Sequence, residues 1–350
     1  MRATECVALA MLALACSGKG ADGPGSNCVN GVCPFTDTPA PPGGVAQFTV
    51  LPVAVAPGQS LTALGNLAPP GHVLPTDHVY FYAGDLRTYP QSIAGTAART
   101  VYMPATGALF IKLQSNGSDW KLMFRATENF YFYLDHVTPT VPMNIGDVFA
   151  AGTAIGTSPP GNTVDLGAFD QTVTRDGFLS AGRYAFQTLH YVSPWKYFAP
   201  VMQPSIYAQV YRAPGVTDKD GKIDFGVAGK LVGDWFLQGL PVDSSAGPSG
   251  WPKTVAFAYD YYDPSQVRIS IGGTIAAPGV WAIDATVPQP ANVSVASGLV
   301  AYRLLYTEGR TEFGLMLVQM MTDSVIRIEV FPGSSASTGQ FDANVWTFVR

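Results

Sequence analysis

Ile145-Gly146-Asp147-Val148-Phe149-Ala150-Ala151-Gly152-Thr153-Ala154-Ile155-Gly156 is a set of very short apolar runs cut by glycine. Glycines at such spacing let a chain turn sharply between strands, where a side chain would be strained. The same texture continues in both directions. Between about Val45 and Arg212, apolar runs alternate with turn signals at Val79–Tyr82, Arg99–Met103, Ala108–Leu113, Lys121–Arg125, Asn129–Leu134 and Tyr184–Leu189, with no helical period of useful length. With 37 Gly, 28 Pro and only 13% charged residues, the chain is expected to be all-β.

At 350 residues it exceeds a usual single domain. A turn-rich stretch, Ala213-Pro214-Gly215-Val216-Thr217-Asp218-Lys219-Asp220-Gly221, breaks the pattern, so residues 45–212 are expected to form one β domain, 213–224 a linker and 225–350 a second domain. The second half contains eight strand patterns: Lys230–Gln238, Thr254–Tyr262, Val267–Gly272, Val280–Ala285, Gly298–Tyr306, Thr311–Met321, Ser324–Phe331 and Phe341–Arg350. Ile326, Ile328 and Val330 alternate with Arg327 and Glu329, as a strand with one wet face requires. Eight consecutive strands with short loops predict an antiparallel barrel, which removes exposed edges, or else a sandwich.

The N-terminus reads as an export signal. Cys6 to Ala15 is an uncharged run too short to span a bilayer, and Ala13-Leu14-Ala15 precedes Cys16. This resembles a bacterial lipoprotein signal, with residues 1–15 removed and Cys16 lipidated; plain secretion after Ala15 is the alternative. The resemblance implies a lipid anchor in the cell envelope, at the outer membrane or cell surface. Residues 16–44, rich in Gly, Ser and Pro, make a disordered spacer. Two cysteines then remain, Cys28 and Cys33, and an even remainder in an exported chain predicts a disulfide. The net charge of −5 gives no attraction to nucleic acid.

Histidine is scarce: His72, His78, His136 and His190 are the whole supply, so a zinc site must use these with carboxylates. Gly71-His72-Val73-Leu74-Pro75-Thr76-Asp77-His78-Val79-Tyr80-Phe81-Tyr82 sets a carboxylate between two imidazoles at a strand start. Met103-Pro104-Ala105-Thr106-Gly107, Tyr133-Leu134-Asp135-His136-Val137 and the Gly146–Gly156 stretch follow in order. This succession resembles the M23 peptidases, the lysostaphin-like zinc endopeptidases of peptidoglycan, over about residues 60–170. The Gly146–Gly156 element also recurs in lipoyl-like folds, so it speaks for fold more than for activity.

Departures from the family pattern fall on the zinc ligands. The family implies His, three residues, Asp on a first strand and His-x-His on a last one; here His72 to Asp77 is one residue longer, and Asn162-Thr163-Val164-Asp165-Leu166-Gly167 holds no histidine. The resemblance therefore implies a degenerate, non-catalytic scaffold with no resident cofactor, whose partner is peptidoglycan or another envelope polymer. In the alternative, a zinc endopeptidase, His72, Asp77 or His78 and Asp165 would hold zinc and His136 would polarise water. His190, in an aromatic stretch, reads as a packed residue. A third reading is carbohydrate or lipid binding through Tyr80-Phe81-Tyr82 and Tyr259-Asp260-Tyr261-Tyr262. Asp218–Asp224 lacks the ends of a calcium loop and reads as a polar turn. In the second half, Gly233-Asp234-Trp235 near the first strand and Arg350 at the last resemble the lipocalin and calycin barrels, where a basic residue covers the tryptophan; this implies a small apolar ligand in the barrel.

Overall fold

A computed structural model describes residues 38–350 except 57–58, 83, 85, 87–96, 162 and 246. The signal segment, Cys16, Cys28 and Cys33 lie outside the described residues. The first half builds strands β1 (His78–Phe81), β2 (Thr100–Tyr102), β3 (Gly107–Asn116), β4 (Asp119–Arg125), β5 (Phe130–Pro139), β6 (Val148–Phe149), β7 (Ala154–Thr157), β8 (Val164–Asp170) and β9 (Tyr191–Val192). They join in one antiparallel sheet ordered β1-β8-β5-β4-β3-β6, with β9 on β8 and the β2–β7 pair on β5.

Period-two alternation divides this sheet into two faces. Val79 and Phe81 of β1, Val164 and Leu166 of β8, and Phe130, Phe132 and Leu134 of β5 enter the main core. There Phe48 packs against Phe130, Phe132 and Phe198 at centroid distances of 5.2–5.6 Å. The alternate residues, His78, Asp165, Gly167 and Tyr133 among them, look out from the opposite face. The Tyr184–Leu189 run, expected as a strand, is instead a 3-10 turn (Ala181–Arg183) followed by the short helix α1 (Phe186–Leu189). Its two aromatics are held tertiarily rather than by a ladder: the Tyr184 hydroxyl donates to Asp234 at 2.7 Å, and Phe186 lies on His190. A second helix, α2 (Gln203–Gln209), buries Ile206.

The second half is a closed eight-stranded barrel, so the barrel and not the sandwich is the observed architecture. Its strands run in chain order: β10 (Gly233–Leu237), β11 (Thr254–Tyr259), β12 (Val267–Ile271), β13 (Gly279–Ala282), β14 (Leu299–Tyr306), β15 (Glu312–Thr322), β16 (Val325–Pro332) and β17 (Trp346–Val349), which pairs back to β10. Trp235, Phe257, Trp281, Tyr302, Met316 and Ile328 are buried in its core. A barrel of eight strands is wide enough either to be filled by side chains or to hold one small ligand. Glu329, expected on a wet face, is buried, and its carboxylate accepts from the Asp342 amide at 2.8 Å. The outward face of β10 is covered too: Phe236 joins the core of the first half and meets Tyr184 edge-on at 5.7 Å.

The tryptophan and the last residue meet as the sequence implied. Trp235 is fully buried, donates through Nε1 to Leu231 O at 2.8 Å, and carries the Arg350 guanidinium over its ring at 4.2 Å. Arg350 also donates to the carbonyls of Val227, Lys230, Val232 and Asp323. Arg350→Ala removes the cation–π contact and leaves these carbonyls without their donor, so it is expected to cost about 2 kcal/mol, read as a lower unfolding midpoint. Arg350→Lys should recover only part of it, because an ammonium cannot reproduce the planar fork of donors.

Candidate functional site

The outer face of β1, β8 and β5 gathers the polar residues. Register sets His78 opposite Gly167 and Tyr80 opposite Asp165 across β1 and β8; across β8 and β5, Tyr133 faces Gly167 and Asp135 faces Asp165. Two rows result: His78, Gly167, Tyr133 and Tyr80, Asp165, Asp135. His136 would point into the core if β5 were regular. The β4–β5 ladder instead slips between Trp120 and Leu122, so that Asp135 and His136 stand against the single residue Lys121. Such a bulge re-aims a side chain, and here His136 takes φ of 61°, a backbone conformation uncommon outside glycine.

The result is a network centred on Asp165, which is 3% exposed. His78 Nε2 and His136 Nε2 stand 3.5 and 3.6 Å from Asp165 Oδ2, and Thr163 donates to Oδ1 at 2.8 Å. Each imidazole is held at its other nitrogen by a second carboxylate: His78 Nδ1 lies 3.2 Å from Asp77 Oδ1, and His136 Nδ1 lies 2.8 Å from Asp119 Oδ2. Asp77 is further tied by hydroxyl donors, Tyr133 at 2.6 Å and Thr188 at 2.7 Å. His78 Nε2 is also 2.9 Å from the Tyr80 hydroxyl.

Burial raises the Asp165 carboxyl above its usual range, and His78 and His136 offset this only in part. Burial would likewise depress His136, but Asp165, Asp119 and Asp135 outweigh it and hold its pKa above the ordinary value. For Asp77 the burial penalty is overcome by the His78 hydrogen bond, Lys121 and Tyr133, which keep the carboxylate ionised well below the usual range. His72 lies edge-on to His78 at 5.3 Å between ring centroids. Burial and the neighbouring His78 depress its pKa to about 4. The unfolded chain therefore binds a proton there that the folded chain refuses between about pH 4 and 6.5. Its contribution to stability is present above 6.5 and lost as pH falls toward 4, by at most about 3 kcal/mol before solvent relaxation. Denaturant titrations across this window should show that loss, and His72→Gln should flatten it.

Of the residues singled out in the sequence, His78, His136 and Asp165 come together. Asp77 sits on the far side of the His78 ring and His72 stands apart from Asp165's oxygens, so the set does not converge on one point. His190 is a packed residue whose Nδ1 is 2.8 Å from Val173 O. Tyr80 and Phe81 are buried. Asp119 carried no sequence signal, and Asp135 was visible only as the neighbour of His136 in the Tyr133–Val137 motif; the bulge at 135–136 sets His136 beside both. Together with His136 they form, among the described residues, a trio whose potential ligand atoms lie within 4.8 Å of one another.

A zinc ion with bonds of about 2.0–2.1 Å needs its donors on one small sphere. β8 presents three residues on this face, Asp165, Gly167 and Phe169, and none is a histidine; a His-x-His pair beginning at position 165 would end at 167. Asp165 fills the first. The second is Gly167, and a Cβ built there falls inside the ring of Tyr133, far closer than any real contact. The imidazole that would complete the set has neither a residue nor a space, so the residues present do not fit the zinc site the resemblance implies. Beside the network, on the His78 side, is a cleft of about 190 Å³ bordered by His72, Asp77, Lys121, Thr188, Tyr184 and Trp251; Asp165 and His136 do not border it.

No protein-family model matches the sequence, and no curated protein matches it. Among solved structures, M23 peptidases are among those it is similar to. Lysostaphin, the antimicrobial peptidase from Staphylococcus simulans, is 12% identical, with 77% of this chain and 96% of that one covered and a TM-score of 0.29. The catalytic domain of the prophage-encoded M23 protein EnpA from Enterococcus faecalis, as a mutant, is 13% identical over 43% of this chain and 96% of that one, at 0.27. Csd3 from Helicobacter pylori is 14% identical over 44% of this chain, at 0.29. The chain spans only 36% of the Csd3 chain and 37% of a zinc containing peptidase from Vibrio cholerae. At these TM-scores the functional reading rests on the site's own geometry.

Proposed function

We propose that the chain is an exported, lipid-anchored envelope protein whose M23-like sheet binds peptidoglycan or another envelope polymer without cutting it. The observation that carries this reading is the ring of Tyr133 lying over Gly167, where a hydrolase of this architecture would need an imidazole. Around it the titratable groups hold one another: Asp77 with His78, Asp119 with His136, both imidazoles with Asp165. The adjoining cleft supplies a cation at Lys121, an aromatic at Trp251 and hydroxyls, which suits a polar polymer strand. The Cys16 signal supports an envelope location.

One observation favours a second reading, a zinc endopeptidase with a different ligand set: Asp119 Oδ1, beside His136, is buried with no hydrogen-bond partner among the described residues. Incubation with insoluble peptidoglycan separates the two. The first reading expects the chain in the pellet and no soluble fragments; fragment release that a chelator abolishes would overturn it and establish the second.

A further inference from the structure

A larger cavity lies elsewhere, at the junction of the first half, the connecting segment and the barrel. Its volume is about 710 Å³, and Gln59, Gln209, Tyr211, Arg212, Lys219 and Tyr262 border it. It shares no lining residue with the His78 cleft, so nothing said of it depends on how that cleft is read.

Arg212 decides its chemistry. The side chain is only 2% exposed. One terminal nitrogen donates to Tyr261 O at 2.7 Å and the other to Asp218 at 3.4 Å, while the Nε–H has no acceptor among the described residues. A buried donor left unmade costs about 1–3 kcal/mol, so an incoming acceptor gains what the fold leaves unused. An uncharged acceptor is favoured. Asp218, Asp220, Asp260 and Asp263 all act on the guanidinium; even with Arg268 paired to Asp260 at 2.7 Å and Lys219 on the cavity border, carboxylates outnumber cations there, which disfavours an entering carboxylate or phosphate. Beside Arg212, Tyr211 and Tyr262 stack at 4.4 Å and 24°, offering an aromatic platform, with the planar amides of Gln59, which accepts from Ala56 N, and Gln209, which donates to Ser205 O, at the rim. An aromatic face beside planar hydrogen-bonding groups suits a pyranose ring, whose C–H face stacks while its hydroxyl and amide substituents bond in the ring plane.

We propose that this cavity is a binding site for an uncharged oligosaccharide, seated on the Tyr211–Tyr262 pair and hydrogen-bonded by the Nε–H of Arg212. The volume accommodates a short oligosaccharide rather than a single small ion.

The test is calorimetric titration of the full chain with chitotetraose, with tetragalacturonate as the anionic probe. Saturable chitotetraose binding with Kd on the order of 0.1–1 mM is expected, with weaker or no binding of tetragalacturonate. Arg212→Lys keeps the charge but removes the Nε–H donor and should weaken chitotetraose binding about tenfold. Tyr262→Leu keeps bulk without the aromatic face and should do the same with the unfolding midpoint unchanged, which decides the matter if Arg212→Lys proves unstable. No saturable binding, unchanged affinity in Tyr262→Leu, or preference for the anionic sugar would overturn the assignment.

Discussion

Gly167→His is expected to prevent the N-terminal sheet from folding. β8 is paired on both sides, by β1 and by β5, so its backbone cannot move away to make room. Any side chain at 167 must share the volume of the Tyr133 ring. That ring is fixed from three directions: its hydroxyl donates to Asp77 at 2.6 Å and lies 3.0 Å from His78 Nδ1, and the Lys121 ammonium sits over its face at 3.7 Å. Overpacking of a rigid core usually costs about 1–3 kcal/mol; a whole imidazole here should cost about 5 kcal/mol, a large share of a domain's stability. Circular dichroism should show the β signal lost or the midpoint sharply lowered. Gly167→His combined with Tyr133→Ala vacates the space and should recover much of the fold. If the single variant folds as well as the parent, Tyr133 does not own that space and the case against the zinc site collapses.

Asp165→Ala is expected to cost about 4 kcal/mol, in the range seen when one partner of a buried ion pair is removed. Two imidazoles would lose the carboxylate they share, and the Thr163 hydroxyl its acceptor. The effect has a pH signature. His136 is raised in the folded chain, so its contribution is full below its unfolded value of about 6.5 and is lost as pH rises through the higher folded value. Asp165→Ala removes the foremost of the carboxylates that raise it. The His136 pKa should therefore fall in NMR titration, and the stability gap to the parent should be widest where Asp165 is ionised and His136 protonated. Asp165→Asn removes the charge and keeps the shape, with an acceptor oxygen on only one of its two sides, so its difference from Asp165→Ala reports the part that is not charge. An unmoved His136 titration would show that the pair is not electrostatically coupled.

Much of the architecture was legible because it depends on local pattern. The eight barrel strands follow from period-two alternation between turn residues, and Trp235 and Arg350 were readable as partners through the lipocalin-like resemblance, which the pairing of the first and last barrel strands matches. Tyr184–Leu189 misled because its spaced aromatics are held by Asp234 and by neighbouring rings, contacts that no local pattern contains. At the site, His78 and His136 were visible as members of a scarce residue type, and Asp165 only through the M23 resemblance. The bulge that turns His136 out of the core, and with it the parts played by Asp119 and Asp135, was not, since it is a register slip between strands that no single strand encodes. Nor could the sequence say that Gly167 is glycine because of Tyr133, a residue 34 positions earlier and adjacent only in the sheet.

The claim that this site is a self-satisfied polar network rather than a metal centre is tested most directly by elemental analysis of the full chain after dialysis against a mild chelator. Zinc far below one equivalent is expected, with no difference between the parent and His78→Ala or His136→Ala. Zinc near one equivalent that disappears in both variants would contradict it, and would make the Asp165 cluster a metal site built from ligands the M23 pattern does not use.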